Sequence, residues 1–313
     1  MGSDFIDKYG RKVKSLRISL TNRCNLNCIY CHGEGETNHN NIKDEITPET
    51  IRVLTDVAVK HGVDKVKFSG GEPLLRKDLP EILTELPPLK DVSLTTNGTL
   101  LSAIADDLAD SGLDRVNISL DTLNPLIYDQ ITRTTGYHNK VLNGIHAAVC
   151  AGLTPIKINM VLLSGINDNE IAEMIAFVKC YGGCVILQLI ELMDFQNTSS
   201  YKVNIDRIQQ ELERQASHTK VRIMHRRKKY YINGAEVELV RPVDNTEFCQ
   251  NCNRLRVTPE SKLKTCLLRD DDLVDITNKT PLEVEQLMIQ TIQKREPYCK
   301  RSCNSLHNEV VQI

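Results

Sequence analysis

Tryptophan is absent from the 313 residues, and phenylalanine and tyrosine bring the aromatic share to only 4%. So few aromatics leave no stacking platform for the successive bases of a single strand. A net charge of −2 gives no basic footprint for a duplex. No run approaches the roughly 18 apolar residues that span a bilayer. Met1-Gly2-Ser3-Asp4-Phe5 carries neither a charged n-region nor an apolar h-region, so no secretory leader is expected. Gly2 also lacks the hydroxyl residue that myristoylation wants four positions on, where Ile6 stands. The expectation is a cytoplasmic chain with no membrane and no nucleic-acid partner. Eleven cysteines are many for such a chain. Cytosolic reductants keep thiols from pairing, so metal ligation explains them better than disulfides.

What is present is a regular alternation, with 41% hydrophobic residues to supply a core. Short β-branched strands are predicted at 16–20, 65–69, 92–95, 116–120, 156–162 and 185–191, with amphipathic helices between them. Thr47 is placed to N-cap a helix with Pro48 at its first position and Gly62 closing it. Asn167 and Glu170 have the spacing of a capping box, and Gly112 and Gly152 end two further helices. Six β–α repeats predict an α/β fold, a parallel sheet with helices on its outer face. Periodicity does not separate a (β/α)6 partial barrel from a doubly wound sheet. The chemical motifs sit at the C-terminal ends of strands, the face that carries active sites in barrels.

After residue 195 polar and charged residues rise, which divides the chain into 4–195 and a smaller module, 196–313, closing the barrel's open side. A last helix starts at Thr280, with Pro281 next and Glu283 completing a capping box. Its Leu287, Ile289 and Ile292 are expected to pack on the barrel. The basic run Arg226-Arg227-Lys228-Lys229 reads as a solvated loop or strand end.

Cys24-Asn25-Leu26-Asn27-Cys28-Ile29-Tyr30-Cys31 places three thiols in a C-x3-C-x2-C loop directly after the first strand. Three thiolates can hold three irons of a cubane 4Fe–4S cluster, whose full ligation takes four cysteines, and so leave one iron open for chemistry. A structural zinc site would want paired ligands, and neither His32 nor His39 completes such a spacing. After the second strand, Phe68-Ser69-Gly70-Gly71-Glu72-Pro73 brings two adjacent glycines that let backbone approach a ligand closely. The same residues also suit a tight strand-to-helix turn, which the Glu72 carboxylate could order.

A second set, Cys249-x2-Cys252-x13-Cys266, is a strong metal signal that does not choose between zinc and iron–sulfur. Between its members, Arg254 and Arg256 project the same way on an extended strand. Together they form a fork suited to phosphate oxygens. Lys67 and Lys157 fall inside predicted strands, where a buried lysine is costly. Either both point into a lumen toward a polyanion, or both face outward.

On these motifs the chain resembles the radical SAM superfamily, in which the three-cysteine loop binds a 4Fe–4S cluster and S-adenosylmethionine (SAM) chelates its open iron. From about Asp4 to Cys266 it is similar to the GTP 3′,8-cyclase family of molybdenum cofactor biosynthesis. That resemblance implies a partial (β/α)6 TIM-type barrel with a C-terminal iron–sulfur module. It implies two 4Fe–4S clusters, on Cys24, Cys28 and Cys31 and on Cys249, Cys252 and Cys266, the second also with an open iron. Tyr30, Gly71, Ser119 and Met193 would contact SAM; Arg17, Lys67, Thr95, Lys157, Arg254, Leu255 and Arg256 would contact GTP. No side chain is assigned as a catalytic acid or base.

The implied reaction cleaves SAM to a 5′-deoxyadenosyl radical that removes the 3′ hydrogen of GTP, after which the ribose closes onto C8 of guanine. Its implied partners are an electron donor protein and a downstream cyclic pyranopterin monophosphate synthase, with a homodimer left open. Another radical SAM enzyme with an auxiliary cluster, acting on a peptide or a different nucleotide, is the alternative. A non-enzymatic metal-binding module is a further one. Two features depart from the family pattern. The chain ends Glu309-Val310-Val311-Gln312-Ile313 instead of in Gly-Gly, and His32 replaces a methionine. Cys299 and Cys303, beyond the resemblance, are expected to lie outside the second ligand shell.

Overall fold

The computed structural model describes residues 4–31, 45–194, 198–243 and 245–297. His32, Cys299 and Cys303 lie outside the described residues. Strands β1 (Ser15–Ser19), β2 (Lys65–Ser69), β3 (Asp91–Thr96), β4 (Arg115–Ser119), β5 (Ile156–Val161) and β6 (Val185–Ile190) pair in chain order, all parallel. Each lies within a residue of its expected bounds. The crossovers contain α1 (Pro48–Lys60), α2 (Leu79–Thr84), α3 (Ala105–Asp110), α4 (Pro125–Thr132), α5 (His138–Cys150) and α6 (Ile171–Lys179). In each strand one alternate set of aliphatics, such as Leu16 and Ile18 or Leu187 and Leu189, joins the buried core. Side chains alternate across a strand, so the other set faces inward. That inward face is where the predicted site residues Arg17, Lys67, Thr95, Ser119 and Lys157 fall.

Local signals explain most helix ends. Thr47 Oγ1 accepts from Thr50 N at 3.1 Å to cap α1. Gly62 follows α1 with φ +80°, and a Cβ there would stand 2.5 Å from the Asp4 carboxylate. The expected capping box at Asn167 and Glu170 does not form. Asn167 is fully buried: its side chain accepts from Leu163 N and donates to the carbonyls of Asp121 and Val161. Glu170 instead takes the Thr122 hydroxyl, so both side chains tie the loops at the strand tips together.

The C-terminal residues add α7 (Ile205–Gln215), β7 (His218–Val221), β8 (Lys228–Ile232), β9 (Ala235–Val240), α8 (Thr246–Gln250), β10 (Arg254–Val257), β11 (Lys262–Lys264), β12 (Val274–Asp275) and α9 (Pro281–Gln293). Strand β9 joins β6 and β10 joins β1, both parallel, and each carries antiparallel strands outward. The resulting order, β12-β11-β10-β1-β2-β3-β4-β5-β6-β9-β8-β7, is one twelve-stranded sheet among the described residues. Its end strands β7 and β12 do not pair, so the barrel is open. The C-terminal half thus extends both edges of the barrel's own sheet.

The capping box of Thr280 and Glu283 forms and starts α9. The buried stripe of α9 is Val284, Met288, Thr291 and Ile292, which packs on α1 and β11. Ile289, expected inside, is 43% exposed, because residues 284, 288 and 292 occupy the inner face of the turn. None of the described helices is long and apolar enough to cross a membrane.

Candidate active site

The inner face and the C-terminal strands enclose a cavity of about 910 Å³ lined by both cysteine sets. At one end the chain leaving β1 runs against the glycine turn that follows β2. Gly71 N donates to Thr21 O and Glu72 N to Arg23 O, both at 2.7 Å. A Cβ on Gly71 would lie 2.3 Å from Arg23 O, and one on Gly70 2.5 Å from Thr21 O. The glycines are therefore needed for close approach to the cysteine loop's own lead-in.

Glu72 is fully buried and accepts from Leu74 N at 3.0 Å and from Thr96 Oγ1 and Asn97 N at 2.7 Å. Burial outweighs those donors and pushes its carboxyl up to about 7. Asn97 Nδ2 donates in turn to Asn25 Oδ1 at 2.8 Å and approaches Cys24 Sγ at 3.9 Å. Leu26 N donates to the same sulfur at 3.4 Å.

Tyr30 reaches across the cavity and donates to Asp121 Oδ2 at 2.6 Å, while Asp121 Oδ1 accepts from Val161 N at 2.8 Å. Burial pushes the Asp121 carboxyl up to about 6. Burial is also the main cause that raises the Cys24 and Cys28 thiols, and Glu72 and Asp121 add to it respectively. Positive iron would reverse that preference, because a coordinated thiol is deprotonated outright. Three thiols on one loop, with an N–H donor already aimed at one sulfur, fit the three-thiolate cluster that the spacing implies. Gly71, Ser119 and Met193 line the same cavity. Glu72 orders its turn as expected, by accepting from Leu74 N. Asn97 and Asp121 were not assigned from sequence, each being a single polar residue just beyond a strand, without a motif of its own.

At the other end, Asn245 caps α8 by accepting from Phe248 N at 3.0 Å. This short helix presents Cys249, Cys252 follows it, and Cys266 comes just after β11; all three line the cavity. Arg11 donates to Cys249 O at 3.0 Å and Arg295 to Cys252 O at 2.5 Å. No three His, Cys, Asp or Glu side chains among the described residues are grouped to hold one metal ion. A cubane asks for a different arrangement, since each thiolate binds its own iron.

Strand register then assembles the cations. Arg17 pairs with Arg256 on one side and Lys67 on the other, Lys67 with Ser93, and Ser93 with Arg115. Neighbouring strands lie about 4.8 Å apart, so these positively charged side chains form one inward row. Asp91 neutralises Arg115 through a fork at 2.8 and 2.7 Å. Among the described residues no carboxylate lies within ion-pair distance of Lys67. Burial first, and then Arg115, Arg17, Lys157 and Arg254, hold its ammonium well below the usual range. Thr95, Asn117 and Lys157 form the next row. Arg254 and Arg256 share the cavity face as expected, whereas Leu255 between them is fully buried on the opposite face. Any ligand contact at residue 255 therefore comes from its backbone.

The basic run at 226–229 is only partly a solvated strand end. Arg226 and Lys228 are exposed and paired with Glu247 and Glu213. Arg227, in contrast, turns into the cavity and is 12% exposed. His225 before it has φ +60°, the left-handed turn that makes this reversal, and stacks on Phe248 at 3.8 Å. Burial and the guanidiniums of Arg254, Arg227, Arg256 and Arg222 push that imidazole down to about 2, so it is neutral. Arg11, Arg222, His225 and Arg295 were missed from sequence, because isolated basic residues carry no spacing signal, and Arg227 was read only as part of a solvated run.

An open parallel barrel with a three-cysteine loop after its first strand has the architecture of a radical SAM protein. The sequence model described as "Radical SAM superfamily" matches residues 18–178, and one described as "Molybdenum Cofactor Synthesis C" matches 185–301. A curated relative from Methanocella arvoryzae, named "Probable GTP 3′,8-cyclase", is 53% identical over 94% of this chain and 94% of its own. Another of that name from Archaeoglobus fulgidus is 46% identical over 94% of this chain and 99% of its own. The chain belongs to the GTP 3′,8-cyclase family of the radical SAM superfamily. Among solved structures, Streptococcus suis SuiB bound to S-adenosylmethionine superposes with a TM-score of 0.66 at 14% identity, over 92% of this chain and 69% of that one. Native anSMEcpe with bound AdoMet gives 0.63 at 16%, over 90% and 81%. Those two likenesses concern the fold alone.

Proposed function

We propose that this protein converts GTP to (8S)-3′,8-cyclo-7,8-dihydroguanosine 5′-triphosphate in molybdenum cofactor biosynthesis. Residues 4–195 act as the radical SAM barrel and 196–313 carry the second cluster. The observation that carries the reading is a single cavity lined by two three-cysteine sets, with the Arg256, Arg17 and Lys67 row beside the second. Lys67, desolvated and with no carboxylate in ion-pair distance among the described residues, is costly without an anion, and a triphosphate would supply one.

Cys24, Cys28 and Cys31 would hold the first 4Fe–4S cluster, and Cys249, Cys252 and Cys266 the second. Bound on Cys24, Cys28 and Cys31, the first cluster with SAM would supply the radical chemistry that starts the reaction at the 3′ position of GTP. The chain's own part is binding, orientation and exclusion of water. Tyr30, Gly71, Ser119 and Met193 would contact SAM, and the Asp121 carboxylate on the same cavity wall would favour its cationic sulfonium. Arg17, Lys67, Thr95, Lys157, Arg254, Arg256 and the backbone of Leu255 would hold GTP on the other. An electron donor protein and a synthase consuming the cyclised triphosphate follow as partners.

The test is anaerobic reconstitution followed by SAM, GTP and a strong reductant, with products identified by mass spectrometry. A cyclised nucleotide with stoichiometric 5′-deoxyadenosine is expected. SAM cleavage with no nucleotide product would instead support a radical SAM enzyme for another substrate, and no SAM cleavage would end the enzymatic reading.

A further inference from the structure

Glu238 on β9 has no solvent exposure, yet three cations from two separate segments, β5 and the β7–β8 connection, converge on it. Its Oε2 accepts from Lys157 Nζ on β5 at 2.8 Å and from Gln188 Nε2 on β6. Its Oε1 accepts from Arg222, just beyond β7, at 2.8 Å. Arg227 Nε lies 3.2 Å from the same oxygen, shielded from solvent and without a hydrogen-bond partner. Among the described residues no other carboxylate is within ion-pair distance of these three cations.

One carboxylate balances one cation, so the cluster carries two formal positive charges in excess. Uncompensated charge is costly away from water. Neither end of the cluster relieves it by titration at neutral pH. Glu238 is held far below the usual carboxylate range by the surrounding cations, although burial opposes them. Burial brings Lys157 down only to about 8. Lys157, Gln188, Arg222 and Arg227 all line the cavity, so the surplus faces the space where a ligand would sit.

We infer that Glu238 is a positioning residue that holds Lys157, Arg222 and Arg227 as one preformed cradle, in which Arg222 and Arg227 contact the phosphates of the nucleotide. This deepens the nucleotide reading above and rests on it. Side chains fixed in advance lose less freedom on binding, and a shared counter-ion keeps three like charges together that would otherwise separate. A triphosphate brings the negative charge that the cluster lacks. This cradle on β5–β9 and the row on β10, β1 and β2 line the same cavity.

Isothermal titration calorimetry on the anaerobically reconstituted protein, with GTP, guanosine and inorganic tripolyphosphate, decides it. Arg222→Ala and Glu238→Gln should each weaken GTP and tripolyphosphate binding about tenfold or more and leave guanosine and SAM binding unchanged. Glu238→Asp, which keeps the charge, should recover part of the loss. Arg222 is 30% exposed, so its truncation tests the cradle without threatening the fold. Equal losses for GTP and guanosine would make Glu238 purely structural and overturn the inference. Parental GTP affinity in Arg222→Ala would overturn it while leaving the nucleotide reading intact. Failure of the parental protein to bind either GTP or tripolyphosphate would remove the nucleotide reading and the cradle with it.

Discussion

The two ends of the cavity each bring three cysteines together, on one loop after β1 at the first and on segments flanking β10 and β11 at the second, and the ionisable groups around them differ in sign. Around Cys24, Cys28 and Cys31 stand the buried carboxyls of Glu72 and Asp121. Around Cys249, Cys252 and Cys266 stand Arg11, Arg254, Arg256 and Arg295. A positively charged sulfonium and a polyanion would each find their complement, and neither could exchange places without a large electrostatic penalty. The carboxyls come from the turns after β2 and β4, the guanidiniums from β10 between the cysteines themselves and from Arg11 and Arg295, which are distant in sequence.

The sharpest way to break the comparison is at the first cysteines. Cys24→Ala, Cys28→Ala or Cys31→Ala should abolish SAM cleavage, measured as 5′-deoxyadenosine, while calorimetry still detects GTP binding. A variant that cleaved SAM near the parental rate would lose that cysteine its ligand role.

At the other end, Cys252→Ala should remove about half the iron after reconstitution, on a two-cluster count, and end cyclisation while slow uncoupled SAM cleavage persists. Full iron content with this variant would make the second set something other than a cluster site.

Arg256→Ala tests charge alone. Removing one charged partner of a phosphate costs about 1.5–3 kcal/mol, which is roughly ten- to a hundredfold in GTP affinity, with SAM binding unaffected. Unchanged GTP affinity would show that the cation row serves the sheet and not a ligand.

A smaller effect should follow pH. Lys157 is shifted down from 10.5 to about 8, chiefly by burial, so its charged form is lost as pH rises through about 8. GTP affinity should fall across that pH, and Lys157→Arg, which does not titrate there, should flatten the fall. The unfolded chain binds the extra proton between about 8 and 10.5, so this group makes folding stability rise with pH in that window. A pH profile unchanged by Lys157→Arg would mean that Lys157 does not face the phosphates. Last, Cys299→Ser/Cys303→Ser should leave iron and sulfide content as they were; loss of a cluster's worth would make those thiols ligands.

Much of this was legible because it depends on neighbours in the chain. The six parallel strands, the Thr47 and Thr280 caps and the grouping of Cys24, Cys28 and Cys31 follow from periods of two to four residues. Where a local rule met a long-range partner, it failed. Asn167 has the spacing of a cap, but unsatisfied carbonyls at Asp121 and Val161 recruit its amide, since a buried carbonyl without a donor costs more than a missing cap.

The sequence by itself determined the parallel β/α repeat, the shared face of Arg254 and Arg256, and the spacing of the two cysteine sets. Only the tertiary structure decided how these add up. Pairing β10 beside β1 brought Arg256 next to Arg17 across 239 positions of sequence. Pairing β9 beside β6 brought Glu238 within reach of Lys157 and of Arg222 and Arg227. A strand's own period fixes which way a side chain faces. Which strands become neighbours depends on the burial of whole sheet edges, and no local spacing records that.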